Sequence, residues 1–142
     1  MEIFIFASIF LGLDILFNIL SSRVFKFLGI DLLFFASWIT GINYGIKEGL
    51  FLSFILVLEH SILHLNKSRL IVLSIPSQIS AVLLGYFLGP THFLTSLLIY
   101  QLINTLIMLL VGGFGPFFVL FLISNTLFNI LTQKIWIQIF GF

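Results

Sequence analysis

The stretch "GINYGIKEGLFLS", residues 41–53, decides the fold. Gly41, Gly45, Gly49 and Ser53 recur every four residues, as they would along one face of a continuous helix. A single helix over residues 28–65 would be about 57 Å long, far more than the roughly 30 Å hydrocarbon core of a bilayer. It would also carry Lys47 and Glu48 in its middle, where lipid penalises charge. The stretch therefore reads as two helices joined by a tight glycine-rich turn.

Lipid enters this argument because of composition. Of 142 residues, 61% are hydrophobic and 8% are charged. Soluble domains carry about 25% charged residues, so this chain cannot cover a water-facing surface and is expected to be an integral membrane protein. The 19 phenylalanines add apolar bulk that suits lipid as well as protein packing. The absence of cysteine excludes disulfides, thiolate metal sites and cysteine nucleophiles. A formal charge of +1 implies no nucleic-acid partner. The start "MEIFIFASIF" is acidic rather than basic and lacks a small-residue cleavage site, so the first segment reads as a retained helix.

Outward from the glycine turn, six apolar segments approach the roughly 17–25 residues that a membrane crossing needs: 3–20, 27–45, 49–65, 70–88, 93–111 and 114–131. The breaks "SSRVFK", "IKE", "NKSR", "GPTH" and "GG" are short, as between antiparallel neighbours. The expected architecture is all-α: a polytopic integral membrane bundle of six short transmembrane helices. It forms one transmembrane domain over residues 1–142, multi-pass in the cell membrane, with the lipid bilayer as its surroundings. A second ladder, Ser77, Ala81, Gly85 and Gly89, has the small-residue spacing that lets membrane helices approach closely. Ser8 and Gly12 form a shorter version. Pro76, past the first turn of segment four, is expected to kink or loosen that helix.

In lipid, the polar side chains are the informative ones. Chain direction alternates, so one membrane face is bounded by loops 21–26, 66–69 and 112–113. Asp14, Asp31, Glu59, His60, His64, Gln78, Gln101 and Asn104 all fall in the half nearest that face, and Asn125 near mid-depth. With Asn18, one turn after Asp14, these residues are the expected lining of a ligand pocket: Asp14, Asn18, Asp31, Glu59, Gln78, Gln101, Asn104 and Asn125. Glu59 and Asp14 are expected to face the same interior space, with Asn18, Gln78 and Gln101 as hydrogen-bond partners. Asn129 lies on the other side of mid-depth.

His60 and His64, at i and i+4 in "LVLEHSILHLNKSR", share a helix face and suit a divalent transition metal, with Glu59 or Asp14 as third ligand. The simpler reading is that the helix leaves the membrane there and both histidines reach the headgroups. That reading is preferred, because a lone pair lacks the fuller zinc motifs. No G-x-S-x-G, H-E-x-x-H or P-loop pattern occurs, so no catalytic residue and no cofactor is expected and the chain reads as a non-enzyme.

Six short helices, the turn "GINYGIKEG" and the segment "SNTLFN" resemble the substrate-binding S-components of energy-coupling-factor transporters and the similarly organised MreD group. The first resemblance implies a membrane subunit that binds a vitamin or metal ion and docks on a coupling protein with ATPases. The second implies a non-enzymatic scaffold in a cell-wall elongation complex. The S-component docking ladder on helix one is reduced here to Ser8 and Gly12, and the aspartate that MreD proteins carry soon after the glycine turn is absent, the first acid being Glu59. Arg23, Lys26, Lys67 and Arg69 against Lys47 and Lys134 place the first loop face in the cytoplasm. In S-components the corresponding loops close over substrate on the outside.

Overall fold

A computed structural model describes residues 2–24, 30–65 and 68–141, and among the described residues the regular elements are all helices, with no strand. The elements are α1 (Glu2–Val24), α2 (Leu33–Tyr44), α3 (Ile46–Leu63), α4 (Ser68–Val72), α5 (Ile75–Leu88), a 3-10 turn (Pro90–His92), α6 (Phe93–Leu110) and α7 (Pro116–Phe140). Lys26, Lys67 and the side chain of Arg23, on which the expected orientation leans, lie outside the described residues.

Four stretches are long and apolar enough to cross a membrane: Glu2–Leu20, Ser68–Leu88, Pro90–Leu110 and Pro116–Phe140. Within the expected second crossing, 27–45, the described residues are helical over Leu33–Tyr44, and those 12 residues span about 18 Å. The third helix, Ile46–Leu63, carries Lys47, Glu48 and Glu59 along its 18 residues. It therefore lacks the uninterrupted apolar length of the other four. The last helix continues nine residues beyond the expected end, from 131 to Phe140.

The break between α2 and α3 is one residue, Gly45, at φ +94°. That left-handed backbone is open to glycine and strained for other residues. Gly45 thus makes the turn and is not part of the packing ladder in which the spacing placed it. Gly89 is a second correction: at φ +70° it closes α5, and a Cβ there would meet nothing within 4 Å. Helix α4 stops before Leu73 and Ser74, and Pro76 takes the first turn of α5. Proline has no N–H and displaces the preceding turn, so the break falls just upstream of it.

The remaining small residues bring backbones together. A Cβ on Gly41 would collide with the backbone oxygen of Val82, and one on Gly85 with the backbone oxygen of Trp38. Helices α2 and α5 therefore touch main chain to main chain, with Gly49 of α3 against the Val82 side chain and Ser77 and Ala81 fully buried alongside. As a result α2 is enclosed: nine consecutive residues, Leu33–Gly41, are buried.

The outer helices are apolar on the outside and polar within. On α7 the two buried residues are Asn125 and Asn129, whereas Leu120, Ile123, Leu127 and Leu131 are exposed. On α6, Leu94, Leu98, Leu102 and Leu106 face out while Ser96, Tyr100, Gln101 and Asn104 face in. Lipid accepts such a surface and water does not. At the end of the bundle that holds the Gly45 turn, Trp136 rings lie 6.2, 6.0 and 5.7 Å from Phe6, Phe10 and Phe35. Aromatic packing thus fills one half of the interior, and polar side chains occupy the other.

Gly41→Ala and Gly85→Ala should each lower stability by about 1–3 kcal/mol or more, because a rigid backbone must move. Gly12→Ala, whose Cβ enters open space, should stay within about 0.5 kcal/mol. Denaturant titration in detergent, followed by tryptophan fluorescence, separates the two groups.

Candidate functional site

The site begins where α2 begins. Tyr44, at the far end of α2, packs its ring 5.2 Å from that of Phe6 near the start of α1. At the near end, the Leu32 N–H donates to Asp14 Oδ1 at 2.7 Å. Asp14 lies midway along α1, so α2 runs antiparallel to α1 and starts level with its middle. A helix start has N–H groups with no partner in the helix and a partial positive charge. Two carboxylates answer it here: Asp14, and Asp31, whose Oδ1 accepts from the Leu33 N–H at 3.2 Å. Ile30, Asp31 and Leu32 are not helical, and Asp31 and Leu32 are buried, as irregular backbone within a bilayer must be.

The other oxygen of Asp14 faces α3. His60 Nδ1 lies 2.9 Å from Asp14 Oδ2 and 3.3 Å from Glu59 Oε2. Asn18, one turn along α1, donates through Nδ2 to the Asp14 carbonyl at 3.0 Å and to Oδ2 at 3.1 Å. Its Oδ1 accepts from His64 Nε2 at 3.3 Å. Asp14 is fully buried and His60 is 6% exposed. The Glu59 side chain is 13% exposed, and its Oε1 is buried without a hydrogen-bond partner among the described residues.

Asp14 and Glu59 therefore face one interior centre, as the residue depths suggested. His60 is buried against Asp14 rather than turned out of the bundle. It stays inside because a carboxylate one helix away gives its ring nitrogen a partner that lipid cannot. The expected His60–His64 metal pair is also redrawn. The group whose ligating atoms all lie within 4.8 Å of one another is Asp14, Glu59 and His60. His64, half-buried, attaches to its edge through Asn18.

Gln78 and Gln101, expected to partner Asp14 and Glu59, serve other networks. Gln78 Oε1 accepts from the Ser37 hydroxyl at 2.9 Å, and its Nε2 donates to the Tyr100 hydroxyl at 2.8 Å. Ser53 donates to Ser37 at 2.7 Å, and Asn104 bonds the same Tyr100 hydroxyl. Gln101 Nε2 donates to Asn125 Oδ1 at 2.8 Å, and Asn125 Nδ2 to Asp31 Oδ2 at 3.2 Å. Asn129, left out of the expected lining, joins this chain by donating to the carbonyl and Oδ1 of Asn125 at 2.8 and 3.1 Å. Tyr100 and Ser37 were not singled out in the sequence, although Tyr100 precedes Asn104 by one turn and Ser37 precedes Gly41 by one turn; Ser53 was read only as a member of the small-residue repeat.

Seven of the eight expected pocket residues are buried and Glu59 is partly buried, in three connected groups hydrogen-bonded mainly to one another. Two surface grooves lie elsewhere, one on α1 and one where α1 meets Tyr44 and α7. One is lined by Phe4, Ile5, Ser8 and Ile9, the other by residues that include Phe6, Tyr44 and Trp136. Compared with protein-family models, with curated proteins and with solved structures, the chain matches none.

Asp14→Asn should destabilise by about 3–5 kcal/mol, the cost of stranding one member of a buried charged pair. The double variant Asp14→Asn/His60→Gln should be less destabilised than the sum of the two single changes. A double-mutant cycle by denaturant titration measures that coupling.

Proposed function

We propose that the chain is a multi-pass protein of the cell membrane whose six helical segments alternate in direction. In this reading it is the small-molecule-binding membrane subunit of a transporter, of the S-component kind, and acts by binding rather than by catalysis. It would take up a vitamin or metal ion and dock on a coupling protein with ATPases. The observation that carries the reading is the buried Asp14–His60–Glu59 centre. Ionisable groups are costly within a bilayer and mark substrate and ion paths there. The start of α2 at mid-depth adds support, because membrane transporters build substrate and ion sites from such interrupted helices.

A second reading, a non-enzymatic MreD-like scaffold in a larger complex, draws on the other two networks. Ser37, Gln78 and Tyr100, like Gln101, Asn125 and Asn129, use their polar groups on each other. Polar networks of that kind specify helix packing and need no ligand.

Native mass spectrometry of protein purified in nanodiscs should show a retained small ligand that is lost in Glu59→Gln. Copurification of protein partners alone would favour the scaffold. The crossing pattern is tested separately, in a chain with no native cysteine to add background. Lys47→Cys and Thr91→Cys should react with an impermeant maleimide from one side of the membrane, and Val111→Cys from the other. Labelling of Lys47→Cys and Val111→Cys from the same side would remove the α2–α3 pair from the count of crossings.

A further inference from the structure

Resting on the transporter-subunit reading, we propose that Asp14, Glu59 and His60 form a site for a divalent transition-metal ion of the zinc, cobalt or nickel class. The donor set is one imidazole nitrogen and two carboxylates, which suits these borderline ions. Calcium takes six to eight oxygens, and magnesium keeps most of its water.

The spacing fits. Metal–ligand bonds of about 2.0–2.2 Å place neighbouring donor atoms roughly 2.8–3.6 Å apart, from octahedral to tetrahedral geometry. His60 Nδ1 lies 2.9 Å from Asp14 Oδ2 and 3.3 Å from Glu59 Oε2. Two ionised carboxylates and a neutral imidazole sum to −2, so one divalent ion brings the centre to zero. No protein cation other than His60 is within bonding distance of either carboxylate among the described residues.

Within the cluster, Glu59 offers one further donor atom. Glu59 Oε1 is buried yet has no hydrogen-bond partner among the described residues. An acceptor left unpaired away from water is costly, and a cation at the centre would satisfy it as a bidentate or fourth donor. The outer groups are those that metal centres use to hold their ligands. The Leu32 N–H and the Asn18 amide fix the Asp14 carboxylate. The centre reaches the surface through Glu59, its least buried member, beside the half-buried His64.

Metal binding displaces protons from such a site, so affinity should fall as pH is lowered, with proton release on loading.

The test is titration of chelator-stripped protein in nanodiscs with Co²⁺, followed by its visible ligand-field bands, with Zn²⁺ as competitor. One equivalent should bind, with proton release detected by a pH indicator in weak buffer. Glu59→Gln, close in shape and least embedded, should keep the fold and weaken Co²⁺ by more than about 100-fold, since even outer groups contribute roughly 10–100-fold. His92→Ala, at the opposite end of the bundle, should leave the affinity unchanged. Binding that survives in Glu59→Gln and Asp14→Asn but follows the histidines alone would overturn the site, as would Co²⁺ binding without proton release. If Co²⁺ does not bind while an organic ligand is retained and lost in Glu59→Gln, the metal assignment fails and the transporter reading stands. If neither binds, both fail.

Discussion

The fold depends on how a helix can start inside a greasy bundle. The first N–H groups of α2 have no helical partner, and lipid offers none. Asp14 supplies an acceptor from α1 and Asp31 one from the connecting chain. Each carboxylate then needs its own compensation. Asp14 finds it in His60 of α3 and Asn18, and Asp31 in Asn125 of α7. From one helix start, polar contacts spread to α1, α3 and α7, and through Asn125 to Gln101 of α6.

That network is affordable because the other half of the packing is tight. Gly41 and Gly85 let α2 and α5 meet backbone to backbone. In lipid, helices gain little from burying apolar surface, and close dispersion contact takes its place. The aromatic cluster around Trp136 fills the space at the Gly45 end. The polar centre is therefore held between a glycine seam on one side and α1 on the other.

Much of this was legible in residues 41–53, where length and charge required a break and Gly45 provides it. Helical spacing also placed Asp14 and Glu59 at one depth, and they meet. Spacing could not say that Gly45 and Gly89 would leave their ladders, because a four-residue repeat looks the same whether a given member packs or turns. The short α2 was hidden for a related reason. Residues 27–32 are apolar enough to extend the helix, and only the two carboxylates reveal that the chain enters it partway down. His60 was misplaced because its neighbours in sequence lead out of the membrane, whereas its partner, Asp14, is 46 residues away. Asn129 was set aside on depth alone, yet one helical turn connects it to Asn125.

The position of Asp14 also bears on how the chain is made. It lies on α1, which is made before α3, and His60 follows 46 residues later. A carboxylate at the centre of an inserting helix costs about 2.5–3.5 kcal/mol, and α1 must meet that from its own leucines, isoleucines and phenylalanines. Until α3 is synthesised, that acid has only Asn18 and the Leu32 N–H to bond it. The helix must therefore be apolar enough to hold a partly compensated carboxylate before His60 is available to it.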